Sequence, residues 1–143
     1  MSKVVWNIKD YFGKEIKIIP ELFLYEVSDY MGRKANIPGI QLYTEIKGQK
    51  TPYATITKSF GEFIGLKNTA YIDTGNYPFI TQLLELGIAE DTGLTKHSAF
   101  CNYPLWIFQE GLLKSLGESE YGIIRKNMTS LCLHLKTLES ELW

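Results

Sequence analysis

The chain has 143 residues, 45% of them apolar, and its 15 basic and 16 acidic side chains give a formal net charge of −1. That length and apolar content suit one domain with a real core and exclude a disordered chain. The balanced charge excludes a nucleic-acid binder held by bulk electrostatics, and two cysteines are too few for a disulfide framework.

The charge is unevenly spread. Residues 1–60 carry nine Lys/Arg against six Asp/Glu, and residues 61–143 carry six against ten. This leaves room for a basic patch in the first half. The opening "MSKVVWNIKDYFGKE" lacks the long apolar core of a signal peptide. No apolar run reaches the ~20 residues of a membrane helix, so the chain reads as soluble and cytoplasmic.

In chain order, "EIKIIPELFLYEV" (15–27) is rich in β-branched and aromatic residues and predicts a strand, with Pro20 marking an edge, a bulge or a break. "SDYMGRKANIPG" (28–39) reads as loop from its Gly, Asn and Pro content. "IQLYTEI" (40–46) alternates, with Ile40, Leu42 and Ile46 on one face and Gln41, Tyr43 and Glu45 on the other. "KGQKTP" (47–52) predicts a turn and "YATITKSF" (53–60) the returning strand of a hairpin.

"TAYID" (69–73) predicts a further strand, followed by a turn and a short helix. Asp73 and Thr74 suit the turn, Asn76 the helix cap, Pro78 the first helical turn and Gly87 the C-terminal stop. "GIAEDTGLTK" (87–96) reads as loop. "HSAFCNYPLWIF" (97–108) reads as strand interrupted by Pro104, and "QEGLLKSLG" (109–117) as one or two helical turns. In the last stretch, Ile124, Met128, Leu131, Leu135, Leu138 and Leu142 recur at spacings of 4 and 3, an amphipathic seam over almost three heptads. The fold class is therefore α+β: an antiparallel sheet of about five strands, a short helix after the fourth, and a C-terminal helix. Residues 1–117 form the core domain. Residues 118–143 form a helix that packs on that core or pairs with a second copy in a homodimer.

Four blocks, "IQLYTE", "PYATIT", "AYIDTGNYP" and "SAFCNYPLWIF", resemble a domain of unknown function found in conjugative elements and phages of Firmicutes. That family typically has Tyr-Val-Asp-Thr-Asn-Asn where this chain has Tyr71 to Asn76, so Gly75 replaces an Asn. It typically has Ser-Gly-Phe-Cys-x-Tyr-Pro where this chain has Ser98 to Pro104, so Ala99 replaces a Gly. The resemblance implies a mobile-element context and carries no activity with it.

Chemical motifs are sparse. Asp73, Thr74 and Asn76 could present oxygens to a cation or a phosphate, but the spacing fits neither a calcium loop nor a P-loop, and turn and cap roles account for them. His97, Cys101, Cys132 and His134 are zinc-type ligands without a zinc-site spacing. A buried structural cysteine is the plainer account. Glu90-Asp91 and the carboxylates around the last helix read as solvated charge. No cofactor or metal is called for.

Basic side chains interleave with tyrosines in the first half, giving a partner-binding set of Arg33, Lys34, Tyr43, Lys47, Lys50 and Tyr53. The expectation is a non-enzymatic binding protein of a mobile genetic element. It inhibits a host defence nuclease, such as a CRISPR effector, by protein–protein contact. The alternative is a nucleic-acid-binding accessory factor of conjugation or phage replication, with lysines on phosphates and tyrosines under bases.

Overall fold

The computed structural model describes residues 4–126 of the chain. Among the described residues, the first sheet has the order β1-β2-β3-β4, formed by Trp6–Lys9, Glu15–Ser28, Lys34–Ile46 and Gln49–Thr55. The second has the order β5-β6-β8-β7, with β5 at Thr57–Lys58, β6 at Thr69–Ile72, β7 at Ala89–Ser98 and β8 at Cys101–Phe108. Every pairing within the two sheets is antiparallel. The α+β class holds, but the strands divide between two four-stranded sheets rather than one of five.

The chain passes between sheets at Ile56. Its N–H donates to Ile40 of the first sheet at 3.2 Å, and its carbonyl accepts from Asp73, just past β6, at 2.8 Å. Thr57 reinforces the corner, since its hydroxyl accepts the Ile40 N–H at 3.1 Å and meets the Tyr25 hydroxyl at 3.1 Å. One core joins the inner faces: Ile18, Ile40 and Leu42 from the first sheet, Ile72, Trp106 and Phe108 from the second. Each such side chain contributes about 1.5–3 kcal/mol by leaving water.

The boundaries differ from the sequence reading where turns are tighter than composition suggests. The stretch read as loop over 28–39 is a turn at 29–33, and β3 begins at Lys34. Pro38 and Gly39 lie inside the ladder, opposite Leu24 and Phe23. The turn read over 47–52 is only Lys47-Gly48, both at positive φ (53° and 76°), as a two-residue hairpin requires. Ile46 sits beside that turn and is 54% exposed, so it does not join Ile40 and Leu42 in the core. Pro20 is tolerated in β2 because β1 stops pairing at Ile18, leaving that side of β2 without a strand partner among the described residues.

The "GIAEDTGLTK" segment is not loop but most of β7, an edge strand bulged between Asp91 and Thr95. β7 turns through Ala99-Phe100 into β8, splitting the single strand expected over 97–108. After β6 come a 3-10 turn at Pro78–Thr81 and α1 at Gln82–Glu85. Asn76 is not the helix cap: Tyr77 holds that position and no side chain caps it, while Pro78 does open the first turn. Gly87 ends α1 at φ 73°. Its N–H reaches Leu84 and that of Ile88 reaches Leu83, which is a Schellman closure.

A second helix, α2, spans Glu110–Leu116. A third, α3, occupies 118–126 up to the last described residue. Tyr121 and Ile124 of α3 are buried in the common core. The other members of the expected seam, Met128, Leu131, Leu135, Leu138 and Leu142, lie outside the described residues, as do Cys132 and His134. Among the described residues, no helix is long and apolar enough to cross a membrane.

Candidate functional site

The residues expected to meet a partner do not form one surface. Arg33 and Lys34 stand where β3 begins, and Lys47 follows its end. The 13 residues of β3 separate them by about 40 Å at ~3.3 Å per residue. Most of these cations already face carboxylates. Arg33 pairs with Asp29 at 3.1 Å, Lys34 with Glu26 at 3.3 Å, and Lys50 with Glu21. Lys50 also lies over the Tyr43 ring, 4.3 Å from its centroid. Tyr53 packs against Phe79 at 5.9 Å, on the margin of the core. These cations are spread along β3 and most are paired, so they make no single basic patch.

The turn after β6 is held from within. The Asp73 carboxylate accepts the Asn76 backbone N–H at 3.3 Å and its side-chain amide at 2.8 Å, and the Asp73 carbonyl accepts from Tyr77 at 3.1 Å. Asn76 therefore ties the turn to Asp73. Thr74 is half-buried in the same turn, and Pro78 follows it into the 3-10 helix.

The register of β6 on β8, with Tyr71 opposite Leu105, brings this turn beside Cys101 and Tyr103. Two blocks some thirty residues apart thus meet. A Cβ added to Gly75 would lie 4.0 Å from the Cys101 sulfur. Burial raises the Tyr103 pKa, with further upward contributions from Cys101 and Asp73. Cys101 is exposed, not buried as a structural cysteine would be, because it follows directly on the β7–β8 turn. His97 lies on the adjacent strand opposite Asn102, also exposed. Among the described residues, no three His, Cys, Asp or Glu side chains cluster as a metal site.

A different feature stands out on the outer face of the second sheet. Tyr71, Tyr103 and Leu105 alternate with the inward Ala70, Ile72 and Trp106 and so point away from the common core. The connection between β5 and β6 folds over them. It is pinned where Ser28 donates to Gly61 and accepts from Phe63, and where the Thr69 hydroxyl bonds Leu66 at 2.7 Å. Phe60 meets Tyr71 and Tyr103 edge-on at 5.4 and 5.2 Å. Tyr30, from the β2–β3 turn, meets Phe63 edge-on at 5.8 Å.

Between these walls lies an open groove of about 280 Å³, lined among others by Tyr30, Phe60, Leu66, Tyr71 and Leu94. Tyr30, Leu66 and Leu94 are 65%, 48% and 54% exposed. At the rim the Lys96 ammonium pairs with Glu62 and sits 4.9 Å from the Phe60 centroid. Gly65 lets the Tyr30 hydroxyl come close, since a Cβ there would lie 2.7 Å from it and the exposed ring would have to swing aside. Sequence reasoning missed this groove. Its signal was present in "SFGEFIGLKN" (59–68), where four large apolar side chains sit in a glycine-punctuated connection.

No family model matches the chain, and neither a curated protein nor a solved structure shows significant similarity to it.

Proposed function

We propose that the chain is a non-enzymatic binding protein that grips a partner protein through the groove on the outer face of its second sheet. The observation that supports this is the grouping of Tyr30, Phe60, Leu66, Tyr71 and Leu94 around one open, pre-shaped depression with a charged pair at its rim. Rigid aromatic anchors ringed by polar groups are what protein interfaces use for most of their binding energy. The resemblance to a mobile-element family supports the finer reading: the partner is a host defence nuclease, and the chain inhibits it by contact, as anti-CRISPR proteins do.

The test is capture from host lysate treated with nuclease, using the wild-type chain and the Leu66→Asp, Leu94→Asp double variant. A protein retained by the first and lost by the second supports the groove. Restored plasmid uptake in a host whose defence nuclease is active supports the finer reading. Recovery of nucleic acid alone, lost on nuclease treatment, would replace both with an accessory factor of conjugation.

A further inference from the structure

We infer that β7 is a docking edge for an extended segment of a partner protein, which adds to the second sheet as a further strand, sets one acidic residue opposite Lys96 and drops one apolar side chain into the groove. This rests on the protein-binding reading and names the chemistry of its partner.

The main chain supports the inference first. β7 is the last strand of its sheet, and among the described residues no strand pairs with its outer side. The two-residue turn at Ala99-Phe100 makes Ser98 and Cys101 a hydrogen-bonded pair. Bonding alternates along an antiparallel ladder, so Lys96 opposite Tyr103 is bonded as well. His97 opposite Asn102, and Thr95 opposite Pro104, then turn their N–H and C=O groups outward. Proline at 104 agrees with this, because the position opposite Thr95 has no N–H to give. The edge therefore offers two donors and two acceptors at a strand's spacing.

The other long edge is closed to such addition. Pro52 interrupts the outer row of β4. On the short β1, the side chain of Gln82 occupies both the N–H and the C=O of Lys9.

Side chains then select the occupant. Leu94 and Lys96 both lie on the groove side of β7, since Leu94 lines the groove and Lys96 sits over Phe60. In an antiparallel partner strand, the residue opposite Lys96 shares that face, and the one two places further on arrives beside Leu94. An acid suits the first position, because an ammonium has three donors and Glu62 engages it from one side. An aromatic or large aliphatic residue suits the second, where the groove begins. The recognised pattern is acid, any residue, apolar.

A second copy of this chain is the wrong occupant. The one two-fold register that uses all four edge groups is centred on Lys96, and it sets Lys96 opposite its own copy.

The experiment is selection of displayed, unstructured random peptides on the immobilised full-length chain, followed by titration of the recovered peptides. Enrichment of the acid–any–apolar pattern is expected, with slowed amide exchange at Thr95 and His97 on binding. His97→Pro removes one outward N–H that the β7–β8 ladder does not use, so the fold should persist while affinity falls about tenfold or more. Lys96→Glu should shift the selected pattern from acid to base. Unpatterned peptides, unchanged affinity in His97→Pro, or a dimer through β7 in light scattering would each overturn the inference. If His97→Pro proves poorly folded, exchange at Thr95 and His97 in the wild-type complex decides: unchanged rates overturn it. A lysate partner kept by His97→Pro but lost by the Leu66→Asp, Leu94→Asp variant would sink the edge and leave the groove standing.

Discussion

The side-chain amide of Gln82 pairs with the backbone of Lys9 as a neighbouring strand would. Its oxygen accepts the Lys9 N–H at 2.9 Å and its nitrogen donates to the Lys9 carbonyl at 2.8 Å. A residue of α1 thereby closes the open edge of β1, 73 positions away, and pins the first strand to the body. Gln82→Ala should cost about 1–2 kcal/mol, the net worth of two partly exposed hydrogen bonds. Urea unfolding would show the loss, and exchange at the Lys9 amide would quicken well before that of Ile40. Equal quickening at both sites would mean Gln82 acts on the whole fold and not on β1.

Tyr121 anchors α3 through its hydroxyl, which donates to the Asn68 side chain at 3.1 Å in a buried setting. Asn68 itself stands at φ 61°, a conformation that Asn tolerates better than most residues, and its carbonyl accepts the Phe108 N–H at 2.8 Å. Tyr121→Phe would keep the ring but leave the Asn68 oxygen buried without its donor. The expected cost is about 1–3 kcal/mol, read as a lower urea midpoint with an unchanged slope. A variant as stable as the parent would show that water replaces the phenol.

Alkaline pH should weaken the fold. Burial raises the pKa of Tyr25, Tyr53, Tyr103 and Tyr121 above the ordinary tyrosine value of about 10. The folded chain then holds protons that the unfolded chain releases, so stability is full below about pH 10 and falls as pH climbs through the folded values. Urea midpoints at about pH 9 and about pH 11 would measure the drop. Tyr103→Phe lacks one titrating group, so its midpoint should fall less over the same interval. An identical fall would remove Tyr103 from this account.

How far the fold was legible depended on whether a segment's local pattern matched its burial. "IQLYTEI" alternated because over residues 40–43 only one face of β3 is fully dry, and Gly87 ended a helix because only a flexible residue closes a Schellman turn cheaply. β7 was unreadable because it is an edge strand whose residues are mostly wet on both faces, so "AEDTGLTKHS" carries no apolar alternation. The turn after β6 was legible as a turn, but the role of Asn76 was not: it ties back to Asp73 instead of capping the helix. The turn's meeting with Cys101 and Tyr103 was not legible either, because strand register between distant segments leaves no local mark. The groove was hidden for a related reason. Its walls come from the β2–β3 turn, the β5–β6 connection and β7, and only the fold assembles them.

Phe23 lies flat on Gly39 across the β2–β3 pair, and a Cβ at position 39 would sit 2.5 Å from the ring. Gly39→Ala should therefore cost about 1–3 kcal/mol by forcing the ring off its site. In a Phe23→Ala background the same change should cost far less, because the obstacle is gone. The double-mutant cycle measures that coupling. Additive effects would place the cost of Gly39→Ala in the backbone rather than in the ring.

Ala99 holds φ at 55° in the tight turn between β7 and β8, a conformation in which a Cβ crowds the backbone. Ala99→Gly relieves the crowding but loosens the unfolded chain, and the first effect should win by about 0.5–1 kcal/mol. The expected result is a higher melting temperature, with slower exchange at Cys101, whose N–H closes the turn. Because the turn sets the register that faces Thr95 and His97 outward, the variant should also bind any β7 ligand at least as well as the parent. A lower melting temperature would mean that the chain relieves the strain by another path, and that the alanine contributes packing of its own beside Phe100.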